Sequence, residues 1–375
     1  MKNRIGIVGG GQLGRMLAFE AHKMGFRVTI LEPTPQSPAG QVADQQIIAN
    51  YSDQKALQEL AAKSDFITYE IELENSDIFD GLVKTGSIIH PSIKTFKLIN
   101  DKYLQKEFFK KAKIPVADFM AVENKEDILK AIKKFGYPIL LKTRLFAYDG
   151  RGNALIKKAS DIDKAINSLQ GKGLYVEKYM PFIKELAVMV ARSTKGEIAT
   201  YQVVETIHKN NILHVVKAPA VINSQTSRKA RNLAKKVMQH LKGAGVFGIE
   251  MFLIKSGKVL VNEIAPRVHN SGHYTIEACV TNQFAQHIRA ISGLPLGKTD
   301  MLVGAAVMVN ILGERAGSAE VSGIEKALRL SQTYVHIYGK KDTKMERKMG
   351  HITAVDKSLE KAYKKAKLAR KFISI

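Results

Sequence analysis

Two glutamates, Glu250 and Glu263, lie on either side of a short turn signal in the stretch GVFGIEMFLIKSGKVLVNEIAPR. The dipeptide Ser256-Gly257 between its two apolar runs is typical of a two-residue hairpin turn. A turn centred on this dipeptide sets Lys255 opposite Lys258. The same register sets Glu250 directly opposite Glu263, with their Cβ atoms about 4.5–5.5 Å apart on one face.

Such a pair of glutamates needs a compensating charge. Two ionised carboxylates about 5 Å apart repel by about 3 kcal/mol at an effective dielectric near 20. A sheet retains them if one carboxyl is protonated or if a cation lies between them. An exposed pair neutralised by lysines is the alternative, but both residues lie within long apolar strands. Because carboxylate oxygens suit Mg²⁺, which completes its shell with water and substrate phosphates, we predict that Glu250 and Glu263 bind Mg²⁺.

Two glycine-rich segments could hold phosphate. In RIGIVGGGQLGRML, the spacing of Gly9, Gly11 and Gly14 between a strand-like and a helical run matches a dinucleotide-binding fingerprint, and Glu32 ends the next apolar run. In LLKTRLFAYDGRGN, Lys142 ends an apolar strand before the turn 148–152, where glycines let backbone N–H groups approach an anion. Taken alone, the first is compatible with an NAD-dependent dehydrogenase and the second with an ordinary hairpin turn.

The segment EIAPRVHNSGHY follows the second glutamate directly. Arg267 comes next to Pro266 and is predicted near the same site. His269 and His273 are spaced like a zinc pair on a helix, but Ser271-Gly272 interrupts a helix and no further cysteine or histidine completes the set. Recognition of an anionic ligand is the favoured function of this segment.

Short apolar runs alternate with helical patterns over residues 1–95, which predicts an α/β fold with a parallel sheet. Strands are predicted at RIGIV, RVTIL, QIIA, FITYE and SIIH, and helices at LGRMLAFEAHKMG and QKALQELAAK. One long basic helix is predicted over KTFKLINDKYLQKEFFKKAKI. Further helices are predicted at 225–242 and near the end of the chain, beyond a boundary at 292–300.

Composition limits the classes of function. The 375 residues carry a net charge of +23, but the basic residues are spread along the chain without aromatic interleaving, so we expect no nucleic-acid partner. The longest apolar stretch, from Met301, is too short to span a membrane and contains Asn310, so we expect no membrane partner. A single cysteine, Cys279, suits a reducing compartment, and we predict a cytoplasmic protein.

Taken together, these segments resemble the ATP-grasp superfamily, and within it the N5-carboxyaminoimidazole ribonucleotide synthetases of purine biosynthesis. The resemblance runs in order over nearly the whole chain. Its motifs are GIVGGGQLGRML, TYEIE, NDKYLQKEF, LLKTRLFAYDGRGN, VEKYMPFIKELAVMVAR, YQVVETIHKNNIL, GIEMFLI, VNEIAPRVHNSGHYTIEAC and HIYGKKDTKMERKMGHIT.

This resemblance implies an ATP-grasp fold in three domains: a Rossmann-like pre-ATP-grasp domain (1–95), an ATP-grasp domain (96–297) and a small β-rich C-terminal domain (298–375). It implies a C–N ligase that carboxylates 5-aminoimidazole ribonucleotide with ATP and bicarbonate, through carboxyphosphate. It also implies Mg²⁺ as cofactor and a homodimer.

The resemblance also implies roles for individual residues. Those for catalysis are Asp149, Arg267 and Lys142. Those for ATP are Lys102, Lys142, Ala147, Tyr148, Asp149, Gly150, Arg151, Gly152, Asn153, Glu177, Lys178, Tyr179, Met180, Glu185, His208, Asn262 and Glu263. Those for the ribonucleotide are Gln12, Leu13, Glu70, Glu72, Tyr148, Asp149, Arg151, His269, Asn270, Lys340, Arg347 and Lys348. Those for the metal are Glu250 and Glu263.

The sequence departs from the family pattern at two points, where Ala147 and Asn153 stand in place of glycine and glutamine. Ala265, where many ATP-grasp enzymes have a metal-binding asparagine, matches this family and reduces the protein metal ligands to two. Two alternatives to the synthetase remain at this stage: a formate-dependent glycinamide ribonucleotide transformylase-like enzyme of the same superfamily, and the dehydrogenase.

Overall fold

The computed structural model describes residues 2–72, 76–145, 152–169 and 173–375. The chain starts with a parallel sheet of strand order β3-β2-β1-β4, flanked by helices. The elements of this part are β1 (Arg4–Val8), α1 (Gln12–Lys23), β2 (Arg27–Leu31), β3 (Gln45–Ile47), α2 (Gln54–Ala62), β4 (Phe66–Tyr69), α3 (Asp80–Lys84) and α4 (Ile93–Asn100). The predicted α/β organisation of this part is confirmed.

The strand predicted at SIIH is wrong in extent. It forms only one bridge, between Ile67 and Ile89. Pro91 follows directly and has no N–H for a ladder, so the pairing stops there.

The long basic helix is two helices, α4 and α5 (Lys102–Lys111), separated at Asp101. The backbone of Asp101 is extended, and its carboxylate accepts the N–H groups of Tyr103 and Leu104 as the N-cap of α5. The same carboxylate binds the guanidinium of Arg144, with 2.6 Å between Oδ2 and Nη2. The prediction of one continuous helix failed because a capping aspartate does not disturb the apolar pattern on either side of it.

A four-stranded antiparallel sheet of order β5-β8-β6-β7 follows. Its elements are β5 (Phe119–Val122), α6 (Lys125–Phe135), β6 (Ile139–Thr143), β7 (Asn153–Ile156), α7 (Ile162–Ser168) and β8 (Leu174–Lys178). Ile139, Leu141 and Val176 pack with α6 and α7 into one apolar cluster. Because side chains alternate along a strand, Leu140, Lys142, Tyr175 and Glu177 lie on the opposite face.

The remaining strands form a large antiparallel sheet of order β14-β13-β9-β11-β12-β15-β19-β17, to which β10 adds at β9. Its strands are β9 (Phe182–Arg192), β10 (Ile198–Thr200), β11 (Val204–Lys209), β12 (Ile212–Ala218), β13 (Gly245–Ile254), β14 (Val259–Ala265), β15 (Ala305–Leu312), β17 (Thr333–Ile337) and β19 (Lys348–Asp356). A separate pair is formed by β16 (Gly317–Ser318) and β18 (Asp342–Thr343).

The C-terminal strands β15, β17 and β19 thus continue the central sheet. The helices of this part are α8 (Ser224–Leu241), α9 (Thr275–Ala278), α10 (Gln283–Ile291), α11 (Ile324–Leu328) and α12 (Leu359–Phe372). No helix in the described part of the chain is long and apolar enough to cross a membrane.

Candidate active site

Glu250 of β13 lies directly opposite Glu263 of β14, as predicted. The turn, however, differs from the predicted one. Gly257, at φ +77°, donates its N–H to Ile254, and Ile254 pairs with Lys258, so Lys255 lies inside a three-residue turn and does not face Lys258.

A second irregularity restores the predicted pairing of the glutamates. The register shifts by one residue between Glu250 and Met251, because Met251 pairs with Val261 and leaves Asn262 as the extra residue of a bulge. The longer turn and the bulge each shift the register by one residue, and the two shifts cancel at Glu250.

The two carboxylates strongly influence each other. Burial and the neighbouring charge of Glu263 raise the pKa of Glu250 to about 7. Burial also acts to raise the pKa of Glu263, but the ammonium groups of Lys102 and Lys142 outweigh it, and the pKa of Glu263 is lowered. The side chain of Glu263 nevertheless keeps 39% of its surface open to the cleft. A pair of partly open carboxylates on one face fits a divalent cation. Among the described residues, at this site or any other, no group of three or more His, Cys, Asp or Glu side chains is placed to hold a metal, so the pair offers two protein ligands.

Helix α5 joins the two antiparallel sheets through lysines one helical turn apart. The Nζ of Lys102 lies 3.1 Å from Oε2 of Glu263 in the large sheet. The Nζ of Lys106 lies 3.0 Å from Oε2 of Glu177 in the four-stranded sheet. The intervening Gln105 accepts the N–H of Ile264 at 3.0 Å. The site therefore lies between the two sheets.

Lys142 also reaches Glu177, with 3.6 Å between Nζ and Oε2, and its Nζ lies 5.9 Å from the ring centre of Tyr175. Burial alone would lower the pKa of Lys142, but the charge of Glu177 outweighs it and raises the pKa. Burial likewise opposes the charge of Lys102, yet Glu263 raises the pKa of that lysine. Both lysines are therefore cations at neutral pH and suit phosphate binding.

Glu185 and His208 lie on the same sheet as the glutamate pair. Glu250 of β13 pairs with Ala187 of β9. Because side chains alternate along a strand, Glu185, two residues before Ala187, lies on the same face of the sheet as Glu250. The Nδ1 of His208 contacts Oε2 of Glu185. Burial would lower the pKa of His208, but its hydrogen bond to Glu185 raises it.

The segment from Glu177 to Met180, which the resemblance assigns to ATP, starts inside a strand. Glu177 pairs with Phe119 on one side and Leu140 on the other, and its carboxylate faces the lysines. Lys178 ends β8 and donates its N–H to Asp118. Only Tyr179 and Met180 follow the end of the strand.

The N-terminal glycine-rich turn begins helix α1, with Gln12 and Leu13 as its first residues and Gly11 as the N-cap. A Cβ on Gly14 would lie 2.9 Å from the carbonyl oxygen of Gly9, so the close approach requires glycine. The Gly11 N–H donates to the carboxylate of Glu70. Burial raises the pKa of Glu70, whereas this hydrogen bond and the charges of Arg267 and Lys340 act to lower it.

Glu32 does not face a ligand site. Its carboxylate accepts hydrogen bonds from the N–H of Gly10 at 2.9 Å, the N–H of Thr34 at 3.1 Å and the hydroxyl of Tyr51. It is 9% exposed. The acid that a dehydrogenase would use for ribose is thus bonded inside the N-terminal fold, which argues against that alternative.

The loop after β14 contacts both the glutamate pair and the N-terminal part of the chain. Arg267 donates from Nη2 to Oε1 of Glu72 at 3.0 Å. The Nε2 of His269 lies 3.7 Å from Oε1 of Glu250. Asn270 is 8% exposed, and neither polar atom of its side chain has a hydrogen-bond partner among the described residues. An unpartnered buried amide is costly, so Asn270 stays a candidate ligand contact, as the resemblance predicts.

His273 is instead part of the interior. It is 1% exposed, and its Nδ1 lies 3.0 Å from Nε2 of Gln283. Its ring packs 4.8 Å from that of His351, between centroids.

The basic residues predicted near the C-terminus approach the N-terminal part. Burial and the charge of Arg347 lower the pKa of Lys340 to about 8, and Glu70 is close enough to oppose that shift. Lys340 donates to the carbonyl oxygen of Lys348 at 2.7 Å, and Arg347 donates to that of Asp342 at 2.6 Å. The backbone of Gly339 accepts from Gln41 at 2.7 Å, which fixes this loop beside α1.

Part of the predicted site lies outside the described residues, namely Ala147, Tyr148, Asp149, Gly150 and Arg151. Gly152, at φ +89°, and Asn153 are described, and Asn153 pairs with Lys142 at the start of β7.

The sequence reasoning missed Lys106, Gln105 and the pair of Asp101 with Arg144. The spacing of four residues between Lys102 and Lys106 was a usable signal, because it sets both on one face of a helix.

Family models match three segments of the chain. They are the ribonucleotide synthetase preATP-grasp domain at residues 1–100, the ATP-grasp domain at 107–284 and the phosphoribosylaminoimidazole carboxylase C-terminal domain at 306–365.

Among curated proteins, the chain is 47% identical over 363 residues to the phosphoribosylaminoimidazole carboxylase of Ogataea methanolica, covering 95% of this chain and 67% of that protein. It is 41% identical over 349 residues to the N5-carboxyaminoimidazole ribonucleotide synthase of Bacillus subtilis, covering 93% of this chain and 90% of that one. The chain thus spans about two thirds of the length of the fungal carboxylases that it matches.

Among solved structures, the N5-carboxyaminoimidazole ribonucleotide synthetase of Thermotoga maritima matches with a TM-score of 0.90 and 48% identity, over 100% of this chain and 99% of that one. The Aspergillus clavatus N5-carboxyaminoimidazole synthase, in complex with ADP and 5-aminoimidazole ribonucleotide, matches with a TM-score of 0.91 and 34% identity, over 99% and 98%.

Proposed function

We propose that this chain, which belongs to the N5-carboxyaminoimidazole ribonucleotide synthetase family of ATP-grasp proteins, is a ligase of purine biosynthesis. It carboxylates 5-aminoimidazole ribonucleotide to N5-carboxyaminoimidazole ribonucleotide with ATP and bicarbonate. The observation that carries this proposal is the meeting of the opposed pair Glu250 and Glu263 with Lys102 between the two antiparallel sheets.

The triphosphate of ATP occupies this cleft. Lys102 and Lys142 supply the positive charge for its phosphates, and Glu185 with His208 lies on the same face for the ribose side. Glu250 and Glu263 hold Mg²⁺, which offsets the charge of the β- and γ-phosphates when it is bound. Two protein ligands suffice because phosphate oxygens and water complete the shell of this ion.

The reaction has two transfers. A bicarbonate oxygen attacks the γ-phosphorus and ADP leaves, which gives carboxyphosphate. The amine of the ribonucleotide then attacks the carboxyl carbon, phosphate leaves, and the nitrogen loses a proton. Arg267 stabilises the anionic carboxyl donor from its position beside Glu72, and Asp149 orients the aminoimidazole. Because phosphoryl transfer depends mainly on positioning and charge, these residues act by holding the reactants together.

The ribonucleotide phosphate lies at the start of α1. The N–H groups of Gln12 and Leu13 and the dipole of this helix favour an anion there. Lys340, Arg347 and Lys348 add charge from the adjacent C-terminal loop. His269, whose Nε2 lies 3.7 Å from Glu250, and the adjacent Asn270 contact the same substrate in this proposal. In this proposal the protein is cytoplasmic, which its single cysteine suits, and it is a homodimer, as the family resemblance implies.

The test is the stoichiometric release of ADP. Release should require bicarbonate and 5-aminoimidazole ribonucleotide together, with Mg²⁺ present. Release with glycinamide ribonucleotide and formate instead would assign the chain to the transformylase-like alternative. No ADP release with either pair would overturn the proposed function.

A further inference from the structure

Two lysines converge on a single carboxylate oxygen beside the ATP cleft. The Nζ of Lys106 lies 3.0 Å, and that of Lys142 3.6 Å, from the same Oε2 of Glu177. Lys106 comes from α5, whereas Lys142 and Glu177 come from neighbouring strands of the four-stranded sheet. None of the sequence motifs assigns a function to Lys106.

The three side chains differ in their access to a ligand. Lys106 and Glu177 are each 3% exposed, whereas Lys142 is 15% exposed. At 3% exposure the ammonium group of Lys106 is enclosed in the protein, and its nearest counter-charge is Glu177. Lys142 retains the access that a ligand needs.

The two distances also indicate which lysine neutralises Glu177. Lys106 is the nearer cation to Glu177, and burial of a carboxylate is tolerated only with a close counter-charge. With Lys106 in place, the charge of Glu177 is met and Lys142 is held at a longer distance. Without Lys106, Lys142 becomes the nearest cation that can neutralise Glu177, and its ammonium group is drawn away from the cleft.

We propose that Lys106 is a positioning residue that neutralises Glu177, so that Lys142 remains directed at the nucleotide phosphates. The proposal rests on the proposed function, because it assigns Lys142 to ATP. It concerns ATP affinity and not the ribonucleotide, whose phosphate lies at the start of α1.

The experiment compares four variants, with Lys142→Met as the reference for loss of the phosphate-binding lysine, by isothermal titration with MgADP and by steady-state kinetics. Lys106→Met should weaken MgADP binding and raise the KM for ATP about tenfold, while the KM for the ribonucleotide stays within about twofold of wild type. Lys106→Met/Glu177→Gln removes both buried charges and should recover most of the lost nucleotide affinity, because Lys142 is no longer drawn to Glu177. Lys111→Met is the matched control, since it removes an exposed lysine from the same helix.

A crystal structure of Lys106→Met adds a readout that does not depend on activity. The distance from Nζ of Lys142 to Oε2 of Glu177 should shorten from 3.6 Å to hydrogen-bond length. An unchanged distance would overturn the proposal. So would nucleotide affinity that is unchanged in folded Lys106→Met, or a double variant that binds no better than Lys106→Met.

Failure of folding has its own test. If Lys106→Met does not fold, the double variant should fold and bind MgADP more tightly than Lys142→Met, since a neutral buried pair is tolerated. A folded double variant that binds MgADP as weakly as Lys142→Met would contradict the proposal. The outcome for the proposed function is separate, because MgADP binding by the wild type does not depend on which substrate is carboxylated.

Discussion

Glu263 of β14 lies directly opposite Glu250 of β13 at one edge of the large sheet, and Nζ of Lys102 lies 3.1 Å from Oε2 of Glu263. Both glutamates face a cleft that is partly open to solvent. Two carboxylates that repel each other on one face favour a divalent cation between them.

Glu263→Gln is therefore expected to abolish turnover while the fold is retained. The amide keeps the size of the side chain but lacks the charge that holds Mg²⁺, and the loss of one group that stabilises transferring charge costs about 100-fold or more in kcat. ADP release measured over a Mg²⁺ series tests this, with circular dichroism to check the fold. Glu59→Gln, an exposed change on α2, serves as the control. Full activity of Glu263→Gln at low Mg²⁺ would show that this carboxylate is not a metal ligand.

Substitution of Asn270 tests whether its buried amide binds the ribonucleotide or supports the fold. Neither of its polar atoms is hydrogen-bonded within the described residues, so Asn270→Leu removes groups that do not stabilise the fold. We expect an apparent melting temperature equal to or above that of wild type, together with a KM for the ribonucleotide raised about tenfold or more. A melting temperature lowered by several degrees with an unchanged KM would mean that the amide supports the fold.

Much of the fold and part of the site follow from local sequence. The parallel N-terminal sheet was predicted because alternating strands and helices carry a strong pattern, and the opposed glutamates were predicted because a hairpin fixes its own register. That second prediction succeeded although the turn was wrong, since the bulge at Asn262 offsets the longer turn. The bulge lies in β14, which ends the sheet beside β13, and no local signal at Asn262 reveals it.

The sequence did not show which side chains are buried by segments that lie far apart in the chain. Lys106 has the pattern of a lysine on a basic helix, and only the packing of α5 between two sheets encloses it beside Glu177. The break at Asp101 was missed for a related reason. The carboxylate of Asp101 that caps α5 also binds Arg144, which lies 43 residues away in the chain, and local sequence does not show that pair.

The pKa of Lys340 predicts a pH dependence of ribonucleotide capture. Burial and nearby cations, Arg347 first, lower this pKa to about 8, so the ammonium is charged at pH 7 and loses its proton as the pH rises through about 8. The phosphate of the ribonucleotide is already dianionic there, since its second pKa is about 6. The kcat/KM for the ribonucleotide should therefore fall between pH 7.5 and about 9, because this parameter reports ionisations of the free enzyme.

Two variants isolate the contribution of Lys340. Lys340→Met should have a low kcat/KM that no longer falls across this pH range, and Lys340→Arg should stay charged and lose the decline above pH 8. The kcat/KM for ATP in the same assays is the internal control. A decline that persists in Lys340→Met would assign the pH dependence to another group.

The capped break between α4 and α5 should couple stability to ATP affinity, because α5 carries Lys102 into the cleft. Asp101→Ala removes the N-cap and the pair with Arg144, and the loss of a cap costs about 1–2 kcal/mol. Asp101→Asn keeps a capping side chain and loses only the ion pair, so its effect should be smaller. Thermal unfolding and the KM for ATP should worsen in the order wild type, Asp101→Asn, Asp101→Ala.

The matched control is Asp53→Ala. Asp53 caps α2 in the same way, by accepting the N–H groups of Lys55 and Ala56, but α2 carries no residue of the site. Asp53→Ala should lower the melting temperature by about 2–4 °C, as expected for the loss of about 1 kcal/mol in a domain of this kind, and leave the KM for ATP unchanged. If Asp101→Ala also left that KM unchanged, the position of α5 would not depend on its cap, and Lys102 would be held by its contact with Glu263 alone.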